Sequence, residues 1–113
     1  MLKWIIEYWA KDNGTSPIED WLDNLTKEQL RSVAKELELL ELFGNKLRLP
    51  HSRPLGDGLF ELRERRYNYR IYYGFYGVKI IILLEAGEKK KQESNIKTAR
   101  ERLIELTKFG IKK

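Results

Sequence analysis

The chain contains no cysteine among its 113 residues and only one histidine, His51. Those two shortages remove disulfides, thiolate metal sites, cysteine nucleophiles and the usual histidine-rich zinc cages, and they suit a reducing compartment. Proline is scarce too, at 3 residues, and no linker, repeat or low-complexity stretch divides the chain. One domain is therefore expected over residues 1–113. The longest apolar run, Ile80 to Leu84, falls far short of the roughly 20 residues that cross a bilayer. The opening stretch, MLKWIIEYWAKD, carries charge too early for a signal peptide. The expectation is a soluble, cytoplasmic protein without membrane contact.

What the chain does have is 42% hydrophobic content, enough at this length to bury a core without staples. Its net charge of +5 conceals a division. Residues 1–45 hold 5 Lys or Arg against 9 Asp or Glu, whereas residues 46–113 hold 17 against 8. The positive field belongs to the second part, where it can draw in a polyanion and release counterions on binding. A well-solvated surface would give the same totals, so charge alone does not choose between the two.

Leu2 to Ala10 is aromatic and β-branched, with Leu2, Trp4 and Ile6 alternating against Lys3, Ile5 and Glu7. This predicts a first strand closed by the Asp12-Asn13-Gly14 turn. Ser16, Pro17 and Glu19 predict an N-cap, a first helical residue and a capping box, followed by Ile18, Trp21, Leu22 and Leu25 at helical spacing. Thr26 predicts a second cap, ahead of a Leu30, Val33, Leu37, Leu40 stripe that ends at Gly44. Residues 45–57, with Pro50, His51, Pro54 and Gly56, read as a loop. Val78 to Glu85 reads as a strand buried on both faces and ended by Gly87. Ser94 to Phe109 reads as a helix, with Ile96, Ala99, Leu103 and Leu106 inside and Lys97, Arg100, Glu101 and Arg102 outside.

Between loop and buried strand lies GLFELRERRYNYRIYYGFY, Gly58 to Tyr76. Phe60 and Leu62 alternate with Glu61, Arg63 and Arg65, and Ile71, Tyr73 and Phe75 alternate with Arg70, Tyr72 and Tyr76. Each run has an apolar face and a polar one. A hairpin across Tyr67 and Asn68 puts Arg63 and Arg70 on neighbouring strands, with the register left open. The predicted order is β-α-α-β-β-β-α, an α+β domain with an antiparallel sheet packed against helices and the first strand at an edge or inserted.

Three stretches, YWAKDNGTSPIEDWLDNL, LGDGLFELRERRYNYRIYY and LLEAGEKKKQESNIKTARERL, together resemble the RelE/HigB-type toxins of type II toxin–antitoxin pairs, in particular the phage-associated branch of the RelE/ParE superfamily. The specific part is a glycine-led strand ending in ELR, a YR pair opening the next strand, a lysine cluster and an AxxR helix. The resemblance implies a RelE-like (microbial-ribonuclease-like) fold and an endoribonuclease that cleaves mRNA on the translating ribosome, with no metal and no cofactor. It also implies a silencing antitoxin, commonly a helix-turn-helix protein. By the same resemblance Arg63 and Arg70 hold the scissile phosphate, and Lys89 or Lys90 adds a third basic position. Arg48, Arg65, Arg66, Lys91 and Tyr72 are the expected RNA contacts. Residues 91–100 contain neither the tyrosine nor the histidine that many relatives place near the last helix, and Ala86-Gly87-Glu88 stands where that branch usually has glycine-phenylalanine. General acid and base are left unassigned.

Cleaving RNA without a metal needs a base for the ribose 2′-hydroxyl, cations on the phosphorane oxygens and an acid for the leaving 5′-oxygen. Arginine suits the middle task, because its planar fork spans two phosphate oxygens and stays charged. Arg63 and Arg70 are expected there, Arg70 without packing the core, and ion pairing to Glu61 or Glu64 is the plain structural alternative. Glu61, His51 and a crowded lysine stand open as proton carriers. Tyr72 stands open for base stacking or proton transfer, and Tyr67, Tyr69 and Tyr76 for stacking. Two rival readings are a ParE-type gyrase inhibitor and an inactive remnant that only binds RNA or antitoxin.

Overall fold

Both N-terminal helices begin at a hydroxyl. In the computed structural model, which describes residues 3–110, α1 (Pro17–Asp23) starts at Ser16. The Ser16 Oγ accepts from the Glu19 N–H at 3.4 Å and donates to the Trp9 carbonyl at 2.9 Å. Glu19 itself stays exposed and does not close the expected box. The full reciprocal box forms instead on α2 (Lys27–Phe43), between Thr26 and Gln29. This helix stops at Gly44, where φ is +49° and an added Cβ would lie 2.1 Å from the Trp4 ring. Only glycine meets both conditions.

The sheet has five strands, one more than predicted: β1 (Ile5–Tyr8), β2 (Ser52–Gly56), β3 (Leu59–Glu64), β4 (Tyr69–Tyr76) and β5 (Ile80–Glu88), in spatial order β1-β5-β4-β3-β2. Leu2, placed in the first strand by its alternation, lies outside the described residues. Strands β2 to β5 form the antiparallel meander, but β1 runs parallel to β5 at one edge, so the sheet is mixed and not purely antiparallel. The additional strand β2 comes from the stretch read as a loop. It carries Pro54 and Gly56, and proline is tolerated because β2 is the opposite edge of the sheet.

Two layers of helix enclose the sheet. Ile18, Leu22, Val33 and Leu40 of α1 and α2 pack on Leu62, Ile71, Tyr73, Ile81 and Leu83. On the other face Ala99 and Leu106 of α3 (Gln92–Phe109) pack on Leu59, Tyr72, Ile82 and Leu84. The IIILL run therefore feeds both cores in alternation, and each buried Leu or Ile contributes about 1.5–3 kcal/mol. Strand β5 extends through Gly87 to Glu88, and one turn of 3-10 helix, Lys89–Lys91, leads into α3. Arg100 and Arg102, expected outside, act as clamps. Arg100 donates to the Gly56 and Leu55 carbonyls, and Arg102 donates to the Leu84 carbonyl at 2.7 Å while lying 4.1 Å over the Trp9 ring. Among the described residues no helix is long and apolar enough to cross a membrane.

Candidate nucleic-acid interface

A buried carboxylate shapes the tip of the β3–β4 hairpin. Glu64 is 2% exposed and accepts from the Ser32 hydroxyl at 2.6 Å and from the N–H groups of Arg66 at 3.0 Å and Tyr67 at 2.9 Å. These bonds close the turn while Asn68 takes φ +59°, a left-handed conformation that asparagine adopts more readily than most residues. Arg65 and Arg66 are thereby left exposed at the tip. Arg66 lies 5.2 Å from the Tyr67 ring, which stacks on Tyr69. The Lys89 N–H donates to the Asn68 carbonyl at 2.7 Å and fixes the lysine turn against the hairpin. Between them opens a cleft of about 440 Å³, lined by Tyr67, Asn68, Glu88, Lys89, Lys90 and Gln92.

Beside this cleft, under the start of α3, is a patch of four cross-strand partners. Arg63 pairs with Arg70 and Glu61 with Tyr72, so the register left open by the sequence puts both arginines on one face. Glu61 is 1% exposed and accepts from Arg53 Nε at 3.0 Å and from the side-chain amide of Gln92, while Arg70 Nε lies 3.8 Å away as an ion-pair partner without a hydrogen bond. A carboxylate so occupied is an organiser of cations, and its burial closes it to substrate as a base. Asn95 follows Gln92 onto the sheet: a Cβ at Gly87, the residue paired with Arg70, would meet its Nδ2 at 2.5 Å.

Arg70 departs from expectation. Its side chain is 3% exposed, and its Nη1 donates to the Tyr69 carbonyl at 2.9 Å and the Glu64 carbonyl at 3.4 Å. The residue is part of the packed interior, because α3 covers the face that the alternation left open to solvent. Burial lowers the guanidinium pKa from its ordinary value, Glu61 opposes that shift, and Arg63 adds to it. Arg63 is half-buried, its Nε has no hydrogen-bond partner, and it makes no ion pair among the described residues.

Tyr72 is a second correction. It is fully buried in the α3 core with its hydroxyl unpartnered, and desolvation first, then Glu61, pushes the phenol far above its usual range. No base can stack on it, and it holds its proton. Tyr67, at the cleft wall, occupies the position that suits stacking. His51 has a partner after all, Glu36 Oε1 at 2.9 Å from Nδ1, and its carbonyl accepts from the Arg63 N–H. Arg48 is exposed, but its Nη1 is taken by the carbonyls of Asn45 and Leu47 and it does not line the cleft. Lys89, Lys90 and Lys91 are all exposed, with Lys90 3.1 Å from Glu88. Sequence reasoning missed Arg53, Gln92 and the anchoring part of Glu64. Arg53 was masked by the proline and glycine around it, while Gln92 and Glu64 act through contacts distant in sequence.

Comparison with protein families matches residues 20–104 to the family described as phage derived protein Gp49-like. No curated protein matches the chain. Among solved structures, the isolated E. coli RelE toxin in its P21 crystal form superposes with a TM-score of 0.56 at 14% identity, over 87% of this chain and 97% of that one. The likeness establishes a common fold.

Proposed function

Because this chain belongs to the phage-derived Gp49-like family and carries the RelE fold, we propose that it is the toxin of a type II toxin–antitoxin pair, a metal-independent endoribonuclease that cleaves mRNA on the translating ribosome. The observation that carries this reading is the Arg63–Arg70 pair: two guanidinium groups on neighbouring strands of one face, with Glu61 as an ion-pair partner of Arg70 alone of the two. Such an excess of fixed positive charge favours a phosphodiester whose negative charge grows in the transition state. Arg63, partly exposed and without an ion-pair partner among the described residues, contacts the phosphate oxygens. Arg70 sits behind it and raises the local potential.

The cleft beside the pair takes the flanking RNA. Lys89 and Lys90 meet phosphate there, Tyr67 stacks on a base, and Arg65, Arg66 and Lys91 extend the basic rim. Tyr72 and Glu61 are closed to substrate, so proton transfer falls to the ionisable groups of the cleft, Lys89 and Lys90 foremost. The protein acts in the cytoplasm, and its antitoxin, a helix-turn-helix protein, silences it by covering this basic end.

Induced expression in a bacterial host, with mRNA 5′ ends mapped within minutes, tests the reading. New ends inside translated regions, absent with Arg63→Ala, are expected. Growth arrest without new ends but with gyrase-linked DNA breaks would replace the proposal by a gyrase inhibitor.

A further inference from the structure

Edge strand β2 brings Arg53 onto the arginine face. It pairs in register with Glu61, and cross-strand partners share a face, so Arg53, Arg63 and Arg70 lie on one face of β2, β3 and β4, Arg53 one level along from the other two. Only the Arg53 Nε is used, donating to Glu61 Oε1 at 3.0 Å. No described residue engages its two terminal nitrogens, and the side chain is 46% exposed. Glu61 also has Arg70 and Gln92, so it does not depend on Arg53 for partners. The other carboxylate near this face, Glu85, is matched by Arg102 at 3.5 Å and accepts from the Ala86 N–H. Three arginines thus share this face with one carboxylate not matched elsewhere, Glu61, and Arg53 is the most exposed of the three, with its Nε held by that carboxylate.

We propose that Arg53 is an RNA-binding residue, with its terminal nitrogens taking the backbone phosphate next to the scissile one and Glu61 as the positioning residue that holds it. The inference rests on the nuclease reading and deepens it. Arg53 lies one strand across, about 4.8 Å, and two residues along, about 7 Å, from Arg63, so it meets a neighbouring phosphate and not the one contacted by Arg63. A strand of RNA entering over Lys89 and Lys90 would then cross the sheet towards its β2 edge. Binding is the role that results, with no part in proton transfer, because a guanidinium keeps its proton.

The test uses the full chain and a short single-stranded RNA carrying 2′-O-methyl groups, which cannot be cleaved, with affinity followed by fluorescence anisotropy from about 50 to 200 mM salt. Arg53→Gln retains a donor for Glu61 but removes the charge. It is expected to bind about tenfold more weakly, with the log–log salt slope reduced by about 0.7, while Arg53→Lys recovers part of the affinity and the whole slope. A urea unfolding midpoint equal to wild type separates this effect from loss of structure. Wild-type affinity and slope in Arg53→Gln would overturn the proposal and leave the nuclease reading standing. Failure of the wild type itself to bind the RNA, with no new mRNA ends in the expression experiment, would overturn both.

Discussion

The two faces of this sheet are finished differently. Under α1 and α2 the interior is mostly apolar, with Leu62, Ile71, Tyr73, Ile81 and Leu83 against Ile18, Val33 and Leu40, and its buried polar side chains have partners, Ser52 with the Tyr73 hydroxyl and Glu64 with Ser32. Under α3 one end of the sheet is apolar, with Leu59, Ile82 and Leu84, and the other carries Glu61, Arg63 and Arg70. Even the apolar cluster contains an unpartnered Tyr72 hydroxyl. One face serves stability, and the other gives up part of its core to hold like charges together. Unpaired polar groups of this kind are costly, and their concentration on one face is what marks it as the working side.

Substitutions can break that contrast. The largest effect is expected for Arg70→Ala, which strips a buried partner from Glu61: unfolding free energy should fall by about 3 kcal/mol or more in urea titration, and cleavage should disappear. Leu62→Ala on the other face should cost about 2–5 kcal/mol by the same titration, yet leave cleavage per folded molecule unchanged. Arg63→Ala reverses the pattern. Cleavage should slow by about 100-fold, while stability stays within about 1 kcal/mol of wild type, because no hydrogen bond or ion pair is lost among the described residues. Lys89→Ala should do least to the fold, with no measurable change in urea titration, while it slows cleavage and lowers the salt slope of RNA binding by about 0.7.

The sequence made the second of these faces harder to read than the first. Local chemistry was legible: Ser16 and Thr26 start the helices, and Gly44 ends α2 where Trp4 leaves no room for a side chain. The meander and the two-sided burial of Ile81 to Leu84 were legible from period alone, as were Arg63 and Arg70 as strand neighbours. Alternation says which residues share a face, but not what covers it. That gap accounts for Arg70 and Tyr72, expected at a solvent face and found beneath α3. Strand β2 escaped because an edge strand can carry Pro54 and Gly56, and with it went Arg53. Gln92 reaches Glu61 over 31 positions of sequence, a contact that no local pattern encodes.

The most direct measurement is the rate of ribosome-bound mRNA cleavage by Arg63→Ala, taken on a preparation whose urea midpoint has first been matched to wild type. A rate lower by about 100-fold at equal stability is the predicted result. Wild-type cleavage by that variant would contradict the division of labour between the faces and remove the arginine pair from the chemistry.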